Sequence, residues 1–180
     1  WGEPAHIEDV TLKVIADGDS IVMNLEGGSI DMMARLTTTQ AAQLGDQFDI
    51  LEGTMNLVQA MYLNNAVEPF NNEKVRQALS YAINKQEILD FTSDGKGTPI
   101  ASSMFPAFGK YYMEELNDVY TTDAEKAKEL LAEAGYPDGF TFTIKVPSNY
   151  QPHIDTATVL AEQLKTIGVT ANIELIEWES

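Results

Sequence analysis

The residues that could carry catalysis are few in this sequence, and their spacing fits no known reaction centre. There are two histidines, His6 and His153, and no cysteine, so thiolate chemistry and cysteine–zinc sites are excluded. The stretch "GKGT" (95–98) resembles a phosphate-binding loop, but Asp90 stands where that motif requires glycine. The stretch "DGDS" (17–20) resembles the start of a calcium loop, but a helix cap explains it better. We therefore predict no catalytic residue, no cofactor and no metal site.

The acidic residues are too numerous to single out a catalytic pair, and they limit the possible partners. The chain has 28 Asp and Glu against 11 Lys and Arg, which gives a formal charge of −17. This charge argues against nucleic acid, whose phosphates need basic contacts, and against an anionic lipid surface. A peptide or glycan hydrolase with a carboxylate pair stays an open alternative, because any two of these residues could be proposed.

The composition indicates a globular chain with a real core. Its 180 residues are 44% hydrophobic, which suits one domain or one lobe of something larger. No run of apolar residues approaches the length that spans a membrane. Because the chain starts at Trp1 and stops just after a strand pattern, we expect it to be a fragment of a longer protein.

The first third of the sequence predicts a β-α-β unit. Alternating apolar residues in "DVTLKVIA" (9–16) predict one strand, and "SIDMMA" (29–34) predicts another. Between them, Asp17 or Asp19 can cap a short helix that stops at two glycines. Such strands are expected to run parallel with a right-handed crossover. A short helix over 37–47 and a stretch of strand character over 48–63 follow.

The rest of the chain predicts an α/β fold with a mixed, partly parallel sheet flanked by helices. An amphipathic helix is predicted over 71–90, interrupted by Asn84. Thr122 and Glu125 have the spacing of a capping box for the next helix. The irregular segment 92–121 is long enough to predict a functional or partner-covering loop. The last three elements are a strand, a helix and a strand over 140–146, 154–167 and 169–178.

Five stretches of the chain together resemble one protein family. "EPFNNEKVRQALSYAINKQEIL" (68–89) is similar to the PF-x-(D/N)-x-x-VRQAL-x-YAI-(D/N)-(K/R) block of the bacterial extracellular solute-binding proteins of family 5, which serve ABC importers of peptides and nickel. The other stretches are "WGEPAHIEDVTLKVI" (1–15), "LEGGSIDMM" (25–33), "DAEKAKELLAEAGYPDGF" (123–140) and "LAEQLKTIGVTANIELIEW" (160–178). They cover nearly the whole chain in the order that the family has them.

This resemblance implies a lobe of the periplasmic-binding-protein type II architecture, in which two lobes close over a solute. Residues 1–48 would be a hinge-proximal β-α-β segment, and residues 49–180 an incomplete second-lobe ligand-binding domain. The implied function is capture of oligopeptides or a similar small polar solute, without catalysis, for delivery to ABC transporter permease subunits. Such a protein would be periplasmic or extracellular, a lipoprotein anchored to the cell envelope and associated peripherally with the membrane.

Three stretches are candidates for contact with the ligand. The seven candidate residues are Tyr62, Ser102, Ser103, Met104, Asn149, Tyr150 and His153. The first is a segment near 49–63 that the resemblance implies crosses between the lobes (the crossing segment), where Tyr62 offers a hydroxyl. The second is the loop "ASSMFPAF" (101–108), which offers hydrogen bonds and an adaptable methionine. The third is "VPSNYQPH" (146–153), which holds the last three candidates. The last three follow a predicted strand, and ligands favour the carboxyl ends of strands in open α/β sheets. The alternative is structural: the loop aromatics can pack beneath the loop, and His153 can cap the following helix.

Two further hypotheses remain open beside peptide capture, one within the same class of receptor and one of another class that is compatible with the family. One is a receptor for nickel or another metal, which two histidines would bind better as an organic chelate than as a bare ion. The other is a partner-binding module, such as a chemosensory adaptor. The sequence blocks that carry the resemblance are themselves predicted to have structural roles and not to contact ligand. Arg76 is expected to tie its helix to neighbouring chain.

Overall fold

The computed structural model describes residues 2, 4–53 and 55–177 and confirms the predicted α/β class. The chain forms two compact units, Trp1–Gly53 (the first unit) and Thr54–Ser180 (the second unit). The helices and strands are α1 (Gly18–Glu26), α2 (Thr38–Leu44), α3 (Glu73–Ala82), α4 (Lys85–Ser93), α5 (Ala124–Glu133), β1 (Thr141–Pro147), α6 (Gln151–Lys165) and β2 (Thr170–Ile176). Within these described ranges, no helix combines the length and the apolar character needed to cross a membrane.

The first unit contains two short helices that begin where the sequence predicts them. The Asp17 carboxylate accepts the Ser20 amide at 2.9 Å and caps α1. Thr37 caps α2 by accepting the Gln40 amide on its hydroxyl oxygen, and the Gln40 Oε1 accepts the Thr37 amide, which completes a capping box. The buried core is small and consists of Ile21, Leu25 and Leu44.

The strands predicted at 9–16, 29–34 and 48–63 are wrong for the part of the chain that the structure describes. None of these described residues is in a strand, and Val14 of the first segment is 97% exposed. An alternating pattern shows which face a strand would bury, but a strand forms only when a neighbour takes up its N–H and C=O groups. The described residues hold one sheet, and it lies in the second unit.

The second unit confirms the predicted strand–helix–strand. Strands β1 and β2 pair in parallel, with Thr141 opposite Thr170 and Pro147 opposite Ile176, and α6 connects them. The predicted apolar stripe of α6 packs in the core, where Leu164 is fully buried. This connection satisfies the rule that parallel strands need a long crossover, since a tight turn cannot return the chain to the same end.

Helices α3, α5 and α6 build one core with the sheet. Its most deeply buried members include Val75, Leu79, Leu131, Leu164 and Val169. The Phe70 ring, just ahead of α3, packs edge-on against Phe142 of β1, with 5.1 Å between ring centroids. As predicted, Arg76 ties α3 to its flanking chain, because its Nη1 donates to the Phe70 carbonyl at 2.8 Å.

The helix predicted over 71–90 is two helices that separate at Ile83 and Asn84. Asn84 has an extended backbone and its side chain accepts the Glu87 amide, so the residue that interrupts α3 also caps α4. The Asn84 backbone N–H and C=O at this break are partly buried, and both bind the side chain of Gln163 from α6. Its Oε1 accepts the Asn84 amide and its Nε2 donates to the Asn84 carbonyl, both at 3.1 Å.

The predicted capping box of α5 is corrected by one residue. The N-cap is Asp123, whose carboxylate accepts the Lys126 amide at 2.9 Å. Thr122 instead donates from its hydroxyl to the Ile83 carbonyl, and the Asp123 amide donates to the Tyr81 carbonyl. The threonine is therefore used to join the start of α5 to the end of α3.

Two glycines join the turn after α5 to the turn after α6. Gly139 has φ +77° and Gly168 has φ +82°, both in the left-handed region that favours glycine. A Cβ at Gly139 would lie 2.0 Å from the Gly168 carbonyl oxygen, a distance no side chain can adopt. This close approach lets the Thr170 amide donate to the Phe140 carbonyl at 2.9 Å and starts the pairing of β1 with β2.

Candidate functional site

The two parallel strands end at the same edge of the sheet, and three predicted ligand residues follow there. The turn after β1 is held to β2 because the Ser148 amide donates to the Ile176 carbonyl at 2.8 Å. Asn149 and Tyr150 lie in this turn, and α6 begins immediately after it at Gln151. We call residues 148–153 the carboxyl edge. In open α/β sheets this edge is where ligands bind.

The carboxyl edge presents two stacked rings. The rings of Tyr150 and His153 are nearly parallel, at 26°, with 5.4 Å between their centroids. His153 lies in the first turn of α6 and is half-buried, so the alternative in which it is the N-cap is not what the structure shows. Tyr150 occupies the N-cap position and makes no side-chain cap hydrogen bond. The pair offers an aromatic face beside the positive end of a 15-residue helix, which suits the carboxylate or carbonyl groups of a small solute.

The predicted crossing segment reaches this edge. Gln59 donates from Nε2 to the Pro152 carbonyl at 3.2 Å, so the segment that carries Tyr62 is tied to the first turn of α6. Tyr62 is 85% exposed and its hydroxyl is accessible to solvent. The structure therefore brings the crossing segment and the carboxyl edge together, although the segment is irregular and not a strand.

The predicted residues of the long loop are neighbours in the chain and lie on the surface. Ser102 and Ser103 are exposed, and the Met104 amide donates to the Ser102 hydroxyl at 3.2 Å. Two short 3-10 helices, Pro106–Tyr111 and Glu114–Asp118, complete the loop. Phe105 and Phe108 pack edge-to-face within it, with 4.6 Å between centroids, and Phe108 is 45% exposed.

A groove of about 360 Å³ lies at the base of this loop, and its residues were not among the seven predicted. Lys85 and Asn117 are two members of its lining, and the Lys85 Nζ donates to the Ile100 carbonyl at 2.8 Å. Burial lowers the pKa of Lys85 from its usual 10.5, because the ammonium loses water contacts. In the sequence, Lys85 could have been noticed as the basic residue that ends the "VRQALSYAINK" block (75–85).

The chemistry of the site is that of binding groups. It consists of amides, hydroxyls, one imidazole and aromatic surface, with no pair of groups arranged as nucleophile and base among the contacts above. In the part of the chain that the structure describes, no three His, Asp or Glu side chains lie close enough together to hold a metal ion.

Comparison with known proteins identifies the family. Residues 1–180 match the family described as bacterial extracellular solute-binding proteins, family 5 Middle. Heme-binding protein A of Haemophilus influenzae is 31% identical over 185 residues, which cover 99% of this chain and 33% of that protein. Glutathione-binding protein GsiB of Salmonella typhimurium is 30% identical over 175 residues, which cover 95% of this chain and 33% of that protein.

A solved structure agrees with this assignment. It is that of the ABC transporter-associated periplasmic binding protein DppA from Helicobacter pylori in complex with peptide STSA. It is 28% identical with a TM-score of 0.79, and the match covers 99% of this chain and 35% of that one. The chain thus spans about one third of the length of its relatives, which are binding proteins rather than enzymes. The chain belongs to the bacterial extracellular solute-binding proteins of family 5 and has the α/β fold of a type II periplasmic binding protein.

Proposed function

We propose that the full-length protein carrying this chain is the solute-binding component of an ABC importer. It captures small peptides or similar polar solutes between two lobes, performs no catalysis, and delivers the solute to the permease subunits in the membrane. The observation that carries this proposal is the carboxyl edge, where the Tyr150–His153 stack lies beside the first turn of α6. Family membership supplies the transport context.

Each part of the carboxyl edge suits a different part of a peptide. The positive end of α6 suits a carboxylate or a backbone carbonyl. The helix dipole would act here more than direct amide contacts, because Pro152 has no N–H and the His153 and Ile154 amides donate to the Tyr150 carbonyl. The Tyr150 and His153 rings suit an apolar or aromatic side chain, and the Asn149 amide suits the peptide backbone. Tyr62 adds a hydroxyl from the neighbouring segment, which Gln59 holds against α6.

In this proposal the chain supplies one wall of a clamp. Residues 1–48 form the hinge-proximal part and residues 49–180 form most of the second lobe, while the opposing lobe belongs to polypeptide outside this chain. A micromolar ligand gains about 8 kcal/mol, and pockets usually enclose about 70–90% of a ligand's surface. We therefore expect the 180-residue chain alone to bind solute with a Kd above about 1 mM.

We further propose that the full-length protein works outside the cytoplasmic membrane and is held there as a lipoprotein, by peripheral association with the membrane. Family membership supports an extracellular or periplasmic position. Fractionation of cells, with metabolic labelling by a radioactive fatty acid, tests the anchor. A labelled protein in the membrane fraction is expected, and an unlabelled protein in the cytosol would contradict it.

Calorimetric titration of the full-length protein tests the binding function. The probes are tetra-alanine, reduced glutathione, and nickel(II) with excess histidine, so that a peptide receptor is separated from a metal-chelate receptor. We expect binding of at least one peptide probe and no cleavage of it on incubation. His153→Gln should weaken that binding about tenfold or more, because the ring face and the imidazole are lost.

The matched control is His6→Gln, which removes the other histidine of the chain and should leave the Kd unchanged. If the full-length protein binds none of the three probes, the peptide and chelate proposals are both overturned. Binding of nickel only with histidine would replace the peptide proposal with the chelate alternative. Cleavage of a peptide probe would restore the hydrolase alternative.

A further inference from the structure

One peptide unit of the long loop is hydrogen-bonded on both sides by side chains that lie 15 and 16 positions away in the chain. The Ile100 carbonyl accepts a hydrogen bond from the Lys85 Nζ at 2.8 Å. The Ala101 amide, which belongs to the same peptide unit, donates to the Asn117 Oδ1 at 2.9 Å. The orientation of a peptide plane is fixed when both its C=O and its N–H are bound, because rotation would break both contacts.

The two gripping side chains are themselves held in place. The Asn117 Nδ2 donates to the Tyr112 hydroxyl at 2.7 Å, which fixes which way its amide faces. Lys85 begins α4 directly after Asn84, whose backbone N–H and C=O both bind Gln163 of α6. Gln163 also donates to the Glu87 carboxylate at 2.7 Å, so the start of α4 is fixed to α6.

The gripped peptide immediately precedes Ser102 and Met104. Those residues are exposed on the surface of the second unit. Within the segment, the Met104 amide donates a hydrogen bond to the Ser102 hydroxyl. An exposed segment samples fewer conformations when the peptide before it is fixed, and fixing each residue costs about 1–2 kcal/mol of conformational entropy. Holding the segment before the solute arrives removes that cost from binding.

We propose that Lys85 and Asn117 are positioning residues that clamp the Ile100–Ala101 peptide and so set the conformation of Ser102–Met104 for the solute. This inference rests on the proposed function for the role of that segment, but the clamp itself is a property of the ligand-free protein. A lysine serves here because its flexible stem carries an ammonium into a partly buried groove, where the carbonyl replaces lost water.

The test compares Lys85→Met, Asn117→Ala and the conservative Lys85→Arg in the full-length protein. The matched control is Lys128→Met on α5, which removes an equally long cationic side chain from an exposed ion pair with Glu125. Hydrogen–deuterium exchange of residues 100–105 in the ligand-free protein is the first measurement. We expect exchange about tenfold faster in Lys85→Met and Asn117→Ala, with exchange of α3 and α6 unchanged. Lys85→Arg and the control should exchange as the wild type does.

The second measurement is the calorimetric Kd for the peptide probe that the wild type binds. We expect a rise of about fivefold or more in Lys85→Met and Asn117→Ala, with a less favourable binding entropy, because the segment must then be ordered by the solute. A merely structural role would speed exchange in α3 and α6 as well, and this would overturn the inference. So would unchanged exchange at 100–105, or faster exchange there with a Kd equal to that of the control.

Failure of this inference is distinguishable from failure of the proposed function. If the wild-type protein binds none of the probes, the proposed function fails, and the ligand-free exchange still decides whether the clamp exists. If the wild type binds and the exchange at 100–105 does not respond to either variant, the clamp fails and the proposed function stands.

Discussion

The two compact units of the chain differ in how completely their elements bury one another. In the second unit, α3, α5, α6 and the parallel sheet share one core in which Val75 and Leu164 are fully buried. In the first unit, α1 and α2 share a core of three buried residues. Leu12 and Val14 of its opening segment are 90% and 97% exposed.

This difference teaches that helices and strands depend on their surroundings in different ways. A helix satisfies its own backbone hydrogen bonds, so α1 and α2 form with caps and little core. A strand cannot, and β1 and β2 form because each supplies the other's partners. The apolar alternation of 9–16 is as regular as that of β1, yet in the described residues no strand lies beside it.

The largest effect expected in the second unit comes from Gly139→Ala. The added Cβ would lie 2.0 Å from the Gly168 carbonyl oxygen, at φ +77°, so the turn that starts the sheet must open. We expect a loss of about 4 kcal/mol or more in the free energy of unfolding, measured by urea titration of the 180-residue chain.

The control for this prediction is Gly135→Ala. Gly135 also has a positive φ, +91°, but no atom lies within 4 Å of an added Cβ, so only the backbone cost of about 1–2 kcal/mol applies. Equal losses for the two variants would contradict the close packing of the two turns.

The next effect contrasts the two cores directly through Leu164→Ala and Leu44→Ala. Both side chains are fully buried. Leu164→Ala should lower the free energy of unfolding of the second unit by about 2–5 kcal/mol, because a packed core cannot close the cavity. Leu44→Ala should cost less, because a small core collapses more easily onto the space left. Hydrogen–deuterium exchange of α2 and of α6 in each variant shows which unit has lost stability. Equal losses in the two variants would contradict the claim that the two cores differ in packing.

A smaller effect is expected where α6 holds the break between α3 and α4. Gln163→Leu leaves the Asn84 amide and carbonyl without the partners they have at 3.1 Å. We expect a loss of about 1–3 kcal/mol in the free energy of unfolding. Gln86→Leu, on an exposed position of α4, should change it by less than about 0.5 kcal/mol. A loss no larger than that of the Gln86 variant would show that solvent or other groups satisfy the Asn84 peptide.

The smallest effect is a pH dependence at the start of α1. Hydrogen bonds from the Ser20 hydroxyl and amide hold the pKa of Asp17 below its usual 3.8. The cap is therefore fully present above pH 3.8 and is lost as the pH falls through the lowered pKa. NMR should show the Ser20 amide titrating with a midpoint below 3.8. Asp17→Asn, which caps without a charge, should abolish that titration, and a midpoint that persists in the variant would contradict the assignment.

The sequence predicted those features of the fold that depend on neighbouring residues, and it missed those that depend on contacts between residues far apart in the chain. The stripe of α6 and the alternation of β1 follow from local periodicity, and both are confirmed. The strand at 9–16 was mispredicted because periodicity says nothing about a pairing partner. The shift of the α5 cap from Thr122 to Asp123 arose because the threonine hydroxyl bonds to Ile83, 39 positions away.

The same limit applies to the candidate site. Asn149, Tyr150 and His153 could be predicted to lie at the carboxyl edge, because all three follow the predicted strand over 140–146. The roles of Lys85 and Asn117 could not, because each acts through a contact that is separated by 15 or 16 positions and formed only in the folded chain. The ligand roles of the seven candidate residues remain predictions.

The measurement that tests the central claim most directly is hydrogen–deuterium exchange of the full-length protein with and without a saturating peptide probe such as tetra-alanine. If the carboxyl edge is one wall of a solute clamp, residues 148–155 and 59–63 should exchange several-fold more slowly when the solute is bound. Solute binding that leaves both segments unchanged, while protecting other residues of the chain, would contradict the claim.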